Sequence, residues 1–233
     1  MSETSAKSSN LLITLSNPRS PISEAYRTLR TNLQFVSLDK PLHTLLITSP
    51  GPDEGKSTVL ANLAIAIVQG EKKVVLVDCD LRRPNLHKLF GLGHKAGLTT
   101  MMVDDKAMAS PPLQETAVPG LLLLASGPLP PSPSDLLGSR RMDRVLEVLR
   151  EQADMVLLDA PPTMAVSDAA VLATKVDGVL LVVSAGQTRR DSVQAAKAKL
   201  EKVNAHLLGV VLNNVPLDAS LERYYYTRQE GEE

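Results

Sequence analysis

Three stretches of this 233-residue chain hold residue types that together could manage a phosphate group and a divalent cation. The first runs from Ile47 to Thr58 and contains Gly55-Lys56-Ser57-Thr58, between an aliphatic run and an Ala/Leu-rich stretch. A loop that opens a helix in this way points backbone N–H groups into one concavity, and the helix dipole adds a field that favours anions. Lys56 could reach β- and γ-phosphates, the Ser57 hydroxyl could ligate Mg²⁺, and Gly55 lets the backbone approach a phosphate closely. The common pattern has a further Gly five residues before Gly55, where this chain has Pro50. Pro50 and Pro52 have no N–H to donate, so the donors are expected mainly from residues 53–58. The plainer alternative is a Gly/Pro-rich loop with an exposed lysine. The order strand, Gly-Lys-Ser-Thr, helix is more specific than that.

The other two stretches are aliphatic runs that end in aspartate. Val74–Arg82 carries Asp78 and Asp80, and Met155–Pro162 carries Asp159. Residues i and i+2 of a strand point to the same side, so Asp78 and Asp80 would face one site if the extended geometry persists to Asp80. The Asp159 stretch has the form of a Walker B strand, whose aspartate holds Mg²⁺ directly or through water. Each aspartate alone could be a turn or cap residue. Three of them at two strand ends, beside a phosphate loop at a third, argue for one shared site beyond the carboxyl ends of parallel strands.

The elements that must position these residues are legible as alternating runs. Strands are expected at 42–48, 73–78, 121–125, 154–159, 178–184 and 207–213, most of them apolar on both faces, as in a parallel sheet covered on both sides. Helices are expected at 57–69, 134–151, 167–174 and 188–203, with Ser134 as an N-cap after the Pro-rich loop 127–133. An amphipathic helix over 21–38 precedes the first strand. Region 92–120 has no clear pattern. The repetition predicts an α/β fold with a mostly parallel, twisted sheet flanked by helices.

Composition excludes several classes. Charges nearly balance, with 25 Lys and Arg against 26 Asp and Glu, and no long basic block supports nucleic acid binding. No apolar run approaches the ~18 residues of a membrane span. The polar, Ser-rich residues 1–10 do not read as a secretory signal. One cysteine, Cys79, excludes a disulfide framework or a Cys-cluster metal site within one chain, and a cytosolic compartment is expected. The aromatics are few: two Phe, four Tyr and no Trp, with three of the Tyr adjacent at Tyr224, Tyr225 and Tyr226.

As an ordered set these features resemble the bacterial tyrosine kinases of the CpsD/CapB type, which regulate capsule and exopolysaccharide synthesis. The resemblance rests on Ser23–Arg30, the phosphate loop, Val77–Arg82, Ser126–Pro131, Leu158–Pro162, Gly209–Asn213 and the tyrosine cluster. It implies a P-loop NTPase fold of the MinD/ParA-like type. The expected organisation is an arm and interface helix over 1–40, a kinase domain over 41–215 and a C-terminal tyrosine tail over 216–233. The implied cofactors are ATP and Mg²⁺. Gly51, Asp53, Glu54, Gly55, Lys56, Ser57 and Thr58 would bind ATP, with Asn213 at the adenine. Ser57, Asp80 and Asp159 would organise the metal. Lys56, Asp78 and Asp80 would be catalytic, with Asp78 accepting the proton of the attacking tyrosine. Where the family often has Gly in the loop this chain has Asp53, a residue type that tolerates unusual backbone angles.

Glu24, Arg27 and Arg30 lie at helical spacing of three. Spacing alone favours a solvated face, whereas the resemblance makes this pattern a ring-forming contact between copies. By the same resemblance Tyr224–Tyr226 would be the phosphoacceptors, modified in trans within a homo-oligomeric ring of eight. The resemblance further implies a separate transmembrane activator that recruits the chain from the cytoplasm to the inner face of the membrane, and a cognate phosphotyrosine phosphatase. The alternatives are a MinD/ParA-like ATPase switch without kinase activity and an inactive ATP-binding scaffold. MinD/ParA proteins carry an extra lysine at the loop position that is Gly51 here, and iron-sulfur carriers of this fold need paired cysteines.

Overall fold

The computed structural model describes residues 11–36 and 41–216. The tyrosine cluster at 224–226 lies outside the described residues, as do the last two residues of the helix expected over 21–38. The chain opens with a short helix α1 (Ile13–Ser16) and the amphipathic α2 (Pro21–Val36). There follow β1 (Thr44–Thr48), α3 (Lys56–Val68), β2 (Val74–Asp78), α4 (Leu86–Leu89), α5 (Leu98–Val103), α6 (Asp105–Ala109), β3 (Gln114–Glu115) and β4 (Leu121–Leu124). The second half comprises α7 (Pro133–Gly138), α8 (Arg140–Arg150), β5 (Met155–Asp159), α9 (Asp168–Ala173), β6 (Gly178–Ser184), α10 (Arg190–Glu201) and β7 (Leu207–Asn213).

The strands form one sheet in the order β3-β4-β2-β5-β1-β6-β7. Every pairing is parallel except that of the short edge strand β3 with β4. The four strands β1, β2, β5 and β6 are buried at every residue, which explains their unbroken Leu/Val/Ile composition. Alternate residues serve opposite faces. Leu45, Ile47, Val74 and Leu76 pack on the α3 side, whereas Leu46, Val75 and Val77 pack on the α8 side. α3 is apolar nearly all round because the sheet covers one side of it and α1 and α2 the other. α8 buries Met142, Val145, Leu146 and Leu149, a single stripe at i, i+3, i+4 and i+7.

The expected helix over 134–151 is two helices. Ser139 is extended, at φ −68° and ψ 158°, and its hydroxyl donates to the Leu136 carbonyl at 2.7 Å. Gly138 before it adds low helix propensity, and a serine that bonds back to the preceding turn competes with continuation. Ser134 is not the N-cap: Ser132 holds that position and Pro133 opens α7. The unassigned region 92–120 supplies α5, α6 and β3, all too short to show a period. Strands β6 and β7 have the expected bounds, and the others are shorter by one or two residues at an end.

Candidate active site

The central strands place the three sequence features side by side. β5 lies between β2 and β1, with Asp78 in register with Asp159 and Asp159 in register with Ile47. The loop 49–55 leaves the carboxyl end of β1, so it emerges beside both aspartates. The chain runs outward from β1 to β2 and β4, then returns to insert β5 and adds β6 and β7 on the other side. Ligands of open α/β sheets sit at such a reversal.

At this point Lys56 is an ion-pair centre. Its Nζ lies 3.1 Å from Asp80 Oδ2 and 3.2 Å from Asp159 Oδ1. The Ser57 hydroxyl donates to the other Asp159 oxygen at 2.5 Å. Burial disfavours the Lys56 ammonium, but Asp159 and then Asp80 outweigh it and raise it above the ordinary lysine range. Burial pushes the Asp159 carboxyl up, against the pull of Lys56 and Ser57. Removing two carboxylates from water is expensive unless cations and donors surround them, and Lys56 and Ser57 supply those here.

Asp80 lines a cleft of about 920 Å³ together with residues 52–58 on one wall and Arg82, Arg83, His87, Lys88 and His94 on the other. Asp78 departs from expectation. It is wholly buried behind Asp80 and is not among the residues lining the cleft. Its Oδ2 accepts the N–H groups of Asn85 and Leu86, both at 3.0 Å. Its Oδ1 is buried without a partner among the described residues. Burial, then the charge of Asp159, pushes Asp78 up to about 8. The i, i+2 geometry fails because β2 ends at Asp78, and Asp80 turns to accept the backbone N–H of Arg83 at 2.9 Å. Of the two carboxylates, Asp80 therefore faces the cleft, whereas Asp78, the residue the motif assigned to proton acceptance, is enclosed behind it.

The loop geometry bears out the need for special residues. Asp53 stands at φ 59° and Gly55 at φ 83°, both left-handed. A Cβ on Gly55 would also clash with Asn213 Nδ2, which donates to the Glu54 carbonyl at 3.0 Å. Two of the residues expected to contact the nucleotide hold each other. Gly51 gives its N–H to Glu54 Oε1 at 2.8 Å, and Glu54 Oε2 accepts from Ser184 N at 3.1 Å and Thr188 Oγ1 at 2.8 Å. Glu54 thus ties the loop to the end of β6, a role that no local motif announces. Asn213 lies against the back of the loop.

Arg82 was read only as part of the motif. It clamps the buried Asp168 with two bonds, Nε to Oδ2 at 2.9 Å and Nη2 to Oδ1 at 3.1 Å, and so fixes the wall that follows Asp80. On α2, Glu24 and Arg27 pair with each other at 2.7 Å at the surface. Arg30 is turned into its own chain, donating to the Ala66 carbonyl at 2.8 Å, so the three do not present one shared outward face.

The donor set suits a metal that binds with a nucleotide. Among the described residues no group of three or more His, Cys, Asp or Glu could hold an ion alone. Mg²⁺ characteristically takes one or two carboxylates and completes its shell with phosphates and water. Asp80, Asp159 and Ser57 fit that requirement.

Comparison with known proteins agrees with this arrangement. Residues 45–232 match the CobQ/CobB/MinD/ParA nucleotide binding domain family. The chain is 40% identical over 215 residues to the tyrosine-protein kinase YwqD of Bacillus subtilis (strain 168), a match covering 92% of this chain and 90% of that protein. The chain belongs to the bacterial tyrosine-protein kinases. This kinase is also 36% identical over 209 residues to the putative tyrosine-protein kinase CapB of Staphylococcus aureus, covering 90% and 91% of the two chains. Its fold superposes on the crystal structure of the chimerical protein CapA2B2 with a TM-score of 0.85 at 36% identity, over 89% of this chain and 91% of that one. No helix among the described residues is long and apolar enough to cross a membrane.

Proposed function

We propose that this kinase transfers the γ-phosphoryl group of ATP to protein tyrosines, and that Tyr224, Tyr225 and Tyr226 of a neighbouring copy are its acceptors in a ring that regulates capsular or exopolysaccharide synthesis. The observation that carries the reading is Lys56 held between Asp80 and Asp159, with Ser57 on Asp159, at the mouth of a phosphate loop. A single lysine here balances two carboxylates. Nucleotide phosphates would draw Lys56 toward the loop, and a cation would take its place beside the aspartates.

In this reading the backbone N–H groups of residues 53–58 and the Lys56 ammonium hold the β- and γ-phosphates. Ser57, Asp80 and Asp159 hold Mg²⁺, which when bound spreads the charge that develops on the phosphate oxygens. Asp80 receives the acceptor hydroxyl at the cleft surface. The tyrosine oxygen forms a bond to the γ-phosphorus as the bond to the bridging oxygen of ADP breaks. The phenolic proton leaves to the Asp80 carboxylate, which lines the cleft. Asn213 completes the nucleotide site from behind the loop, at the adenine side.

Tyr224 lies ten positions beyond Asn214, an extended span of roughly 33 Å, enough to reach a neighbour's cleft. Contacts through Glu24 and Arg27 would join the copies, and a membrane-bound activator would recruit them from the cytoplasm. Three phosphates would add about −4.5 to −6 charges to the tail, and repulsion from Asp80, Asp159 and bound nucleotide would release it and loosen the ring.

Mixing two inactive variants tests transfer between copies. Lys56→Met retains the tyrosines and lacks the phosphate lysine, whereas the variant with Phe at 224, 225 and 226 retains the site and lacks the acceptors. Phosphotyrosine mapped to residues 224–226 of the Lys56→Met chain only in the mixture is the expected result. Its absence there, with normal modification of the wild type, would rule out transfer between copies.

A further inference from the structure

The cleft wall opposite the phosphate loop is basic, and phosphate binding by the loop does not use it. Arg83, His87, Lys88 and His94 all line it. The carboxylates of the active site hold this wall in place. Asp80 Oδ1 accepts the Arg83 N–H, and Asp78 Oδ2 accepts the N–H groups of Asn85 and Leu86. The backbone that leads into Arg83, His87 and Lys88 is therefore anchored on the reaction centre itself.

His87 is the informative member. It is only 7% exposed, its Nδ1 has no partner among the described residues, and its ring lies 4.4 Å from that of His94. Burial, then the charges of His94 and Lys88, holds its imidazole below the ordinary range. Two close, tilted imidazoles beside a lysine disfavour one another's protonation, and an anion placed among them would give all three a shared attraction. Arg83 is exposed and makes no ion pair among the described residues. A guanidinium suits a phosphate because it presents paired donors in one plane.

We propose that Arg83, His87, Lys88 and His94 form a subsite for the phosphate of a phosphotyrosine that has already been made, while an adjacent tyrosine of the same segment occupies the acceptor position. This rests on the reading of the tyrosine cluster as the acceptor. Consecutive tyrosines at 224, 225 and 226 mean that, after the first transfer, every further acceptor has a phosphotyrosine within two residues. Without a basic wall that phosphate would be repelled by Asp80 and by bound nucleotide. With it, a singly modified tail becomes a better substrate than an unmodified one. The wall offers charge for one phosphate and not for three, so full modification still releases the tail.

The test uses peptides of residues 218–230, either unmodified or carrying phosphate on Tyr226 alone, with the kinase bearing Phe at 224–226 so that its own tail does not compete. The expected KM for the phosphorylated peptide is about tenfold below that for the unmodified one, the scale of one charge-assisted hydrogen bond. Adding Arg83→Ala and His94→Ala, both exposed positions, should abolish that ratio. Equal KM values for the two peptides, or a preference that survives the double substitution, would overturn the subsite. If neither peptide is phosphorylated, the tail reading fails. Anisotropy titration of a labelled phosphopeptide with Phe at 224 and 225 then decides the subsite alone. Binding weakened about tenfold by Arg83→Ala and His94→Ala supports it, and unchanged or undetectable binding overturns it.

Discussion

Replacing Glu54 by Ala should loosen the phosphate loop without touching any phosphate ligand. The carboxylate accepts three donors: Gly51 N at 2.8 Å, Thr188 Oγ1 at 2.8 Å and Ser184 N at 3.1 Å. Hydrogen bonds to a charged group contribute roughly 1.5–3 kcal/mol each, and a buried donor left without an acceptor costs about 1–3 kcal/mol. The three losses do not simply add. Ser184 N keeps Thr188 Oγ1 as an acceptor at 3.1 Å, and the Thr188 hydroxyl can rotate to another partner. Removal of a carboxylate that is only 6% exposed also recovers part of its desolvation cost. The Gly51 N–H is the uncompensated loss, and a net destabilisation of about 2 kcal/mol follows. For a chain of this size that is a fall in Tm of about 4–8 °C. Residue 51 would no longer be tethered, so ATP would have to order the loop, and its KM should rise about tenfold, equivalent to ~1.4 kcal/mol. Glu54→Gln retains one acceptor oxygen and should fall between. Calorimetry of the nucleotide-free protein and ATP titration of the initial rate measure both effects. A Glu54→Ala variant with Tm within about 1 °C of wild type and an unchanged KM for ATP would refute the loop-anchor argument.

Other outcomes follow from the same geometry. The Asp78 carboxyl is raised from 3.8 to about 8, so the folded state binds the extra proton and the stability this contributes is lost as pH rises from about 4 through 8. Asp78→Asn should therefore raise the Tm of the nucleotide-free protein by a few degrees, roughly 2–6 °C, at pH 8 and by progressively less toward pH 5, as read by thermal melts across pH. Phe at 224–226 should remove most phosphotyrosine while leaving ATP affinity within about twofold, checked by mass mapping and nucleotide titration. Light scattering should show a lower mass for the fully phosphorylated protein than for the unmodified one, and equal masses would sink the charge-release account.

How much of this was readable in the sequence varies with the range of the interaction. Strands β6 and β7 show their ends because aliphatic runs stop at polar residues. The convergence of the loop, Asp80 and Asp159 was legible because phosphate chemistry would need those types in that local order. The tie from the Glu54 side chain to Ser184 and Thr188 was not legible, because these partners are more than 120 positions away. Arg30 was grouped with Glu24 and Arg27 by helical spacing, yet a carbonyl on α3 captures it. Asp78 and Asp80 were given a common direction by strand geometry that ends two residues too early, at Asp78. The break at Ser139 hinges on one hydroxyl, too small a signal against the otherwise helical pattern on both sides.

The central claim is that Lys56, between Asp80 and Asp159, marks a site that moves phosphate from ATP to tyrosine. The direct measurement is incubation of the wild type and Lys56→Met with ATP and Mg²⁺, followed by phosphotyrosine detection and mass mapping, with circular dichroism to verify the fold. Phosphotyrosine in the wild type, concentrated at residues 224–226, and at least a hundredfold less in a folded Lys56→Met variant (roughly 2.7 kcal/mol of transition-state stabilisation) is the expected result. ATP hydrolysis without phosphotyrosine in the wild type, or undiminished phosphotyrosine in Lys56→Met, would contradict the account.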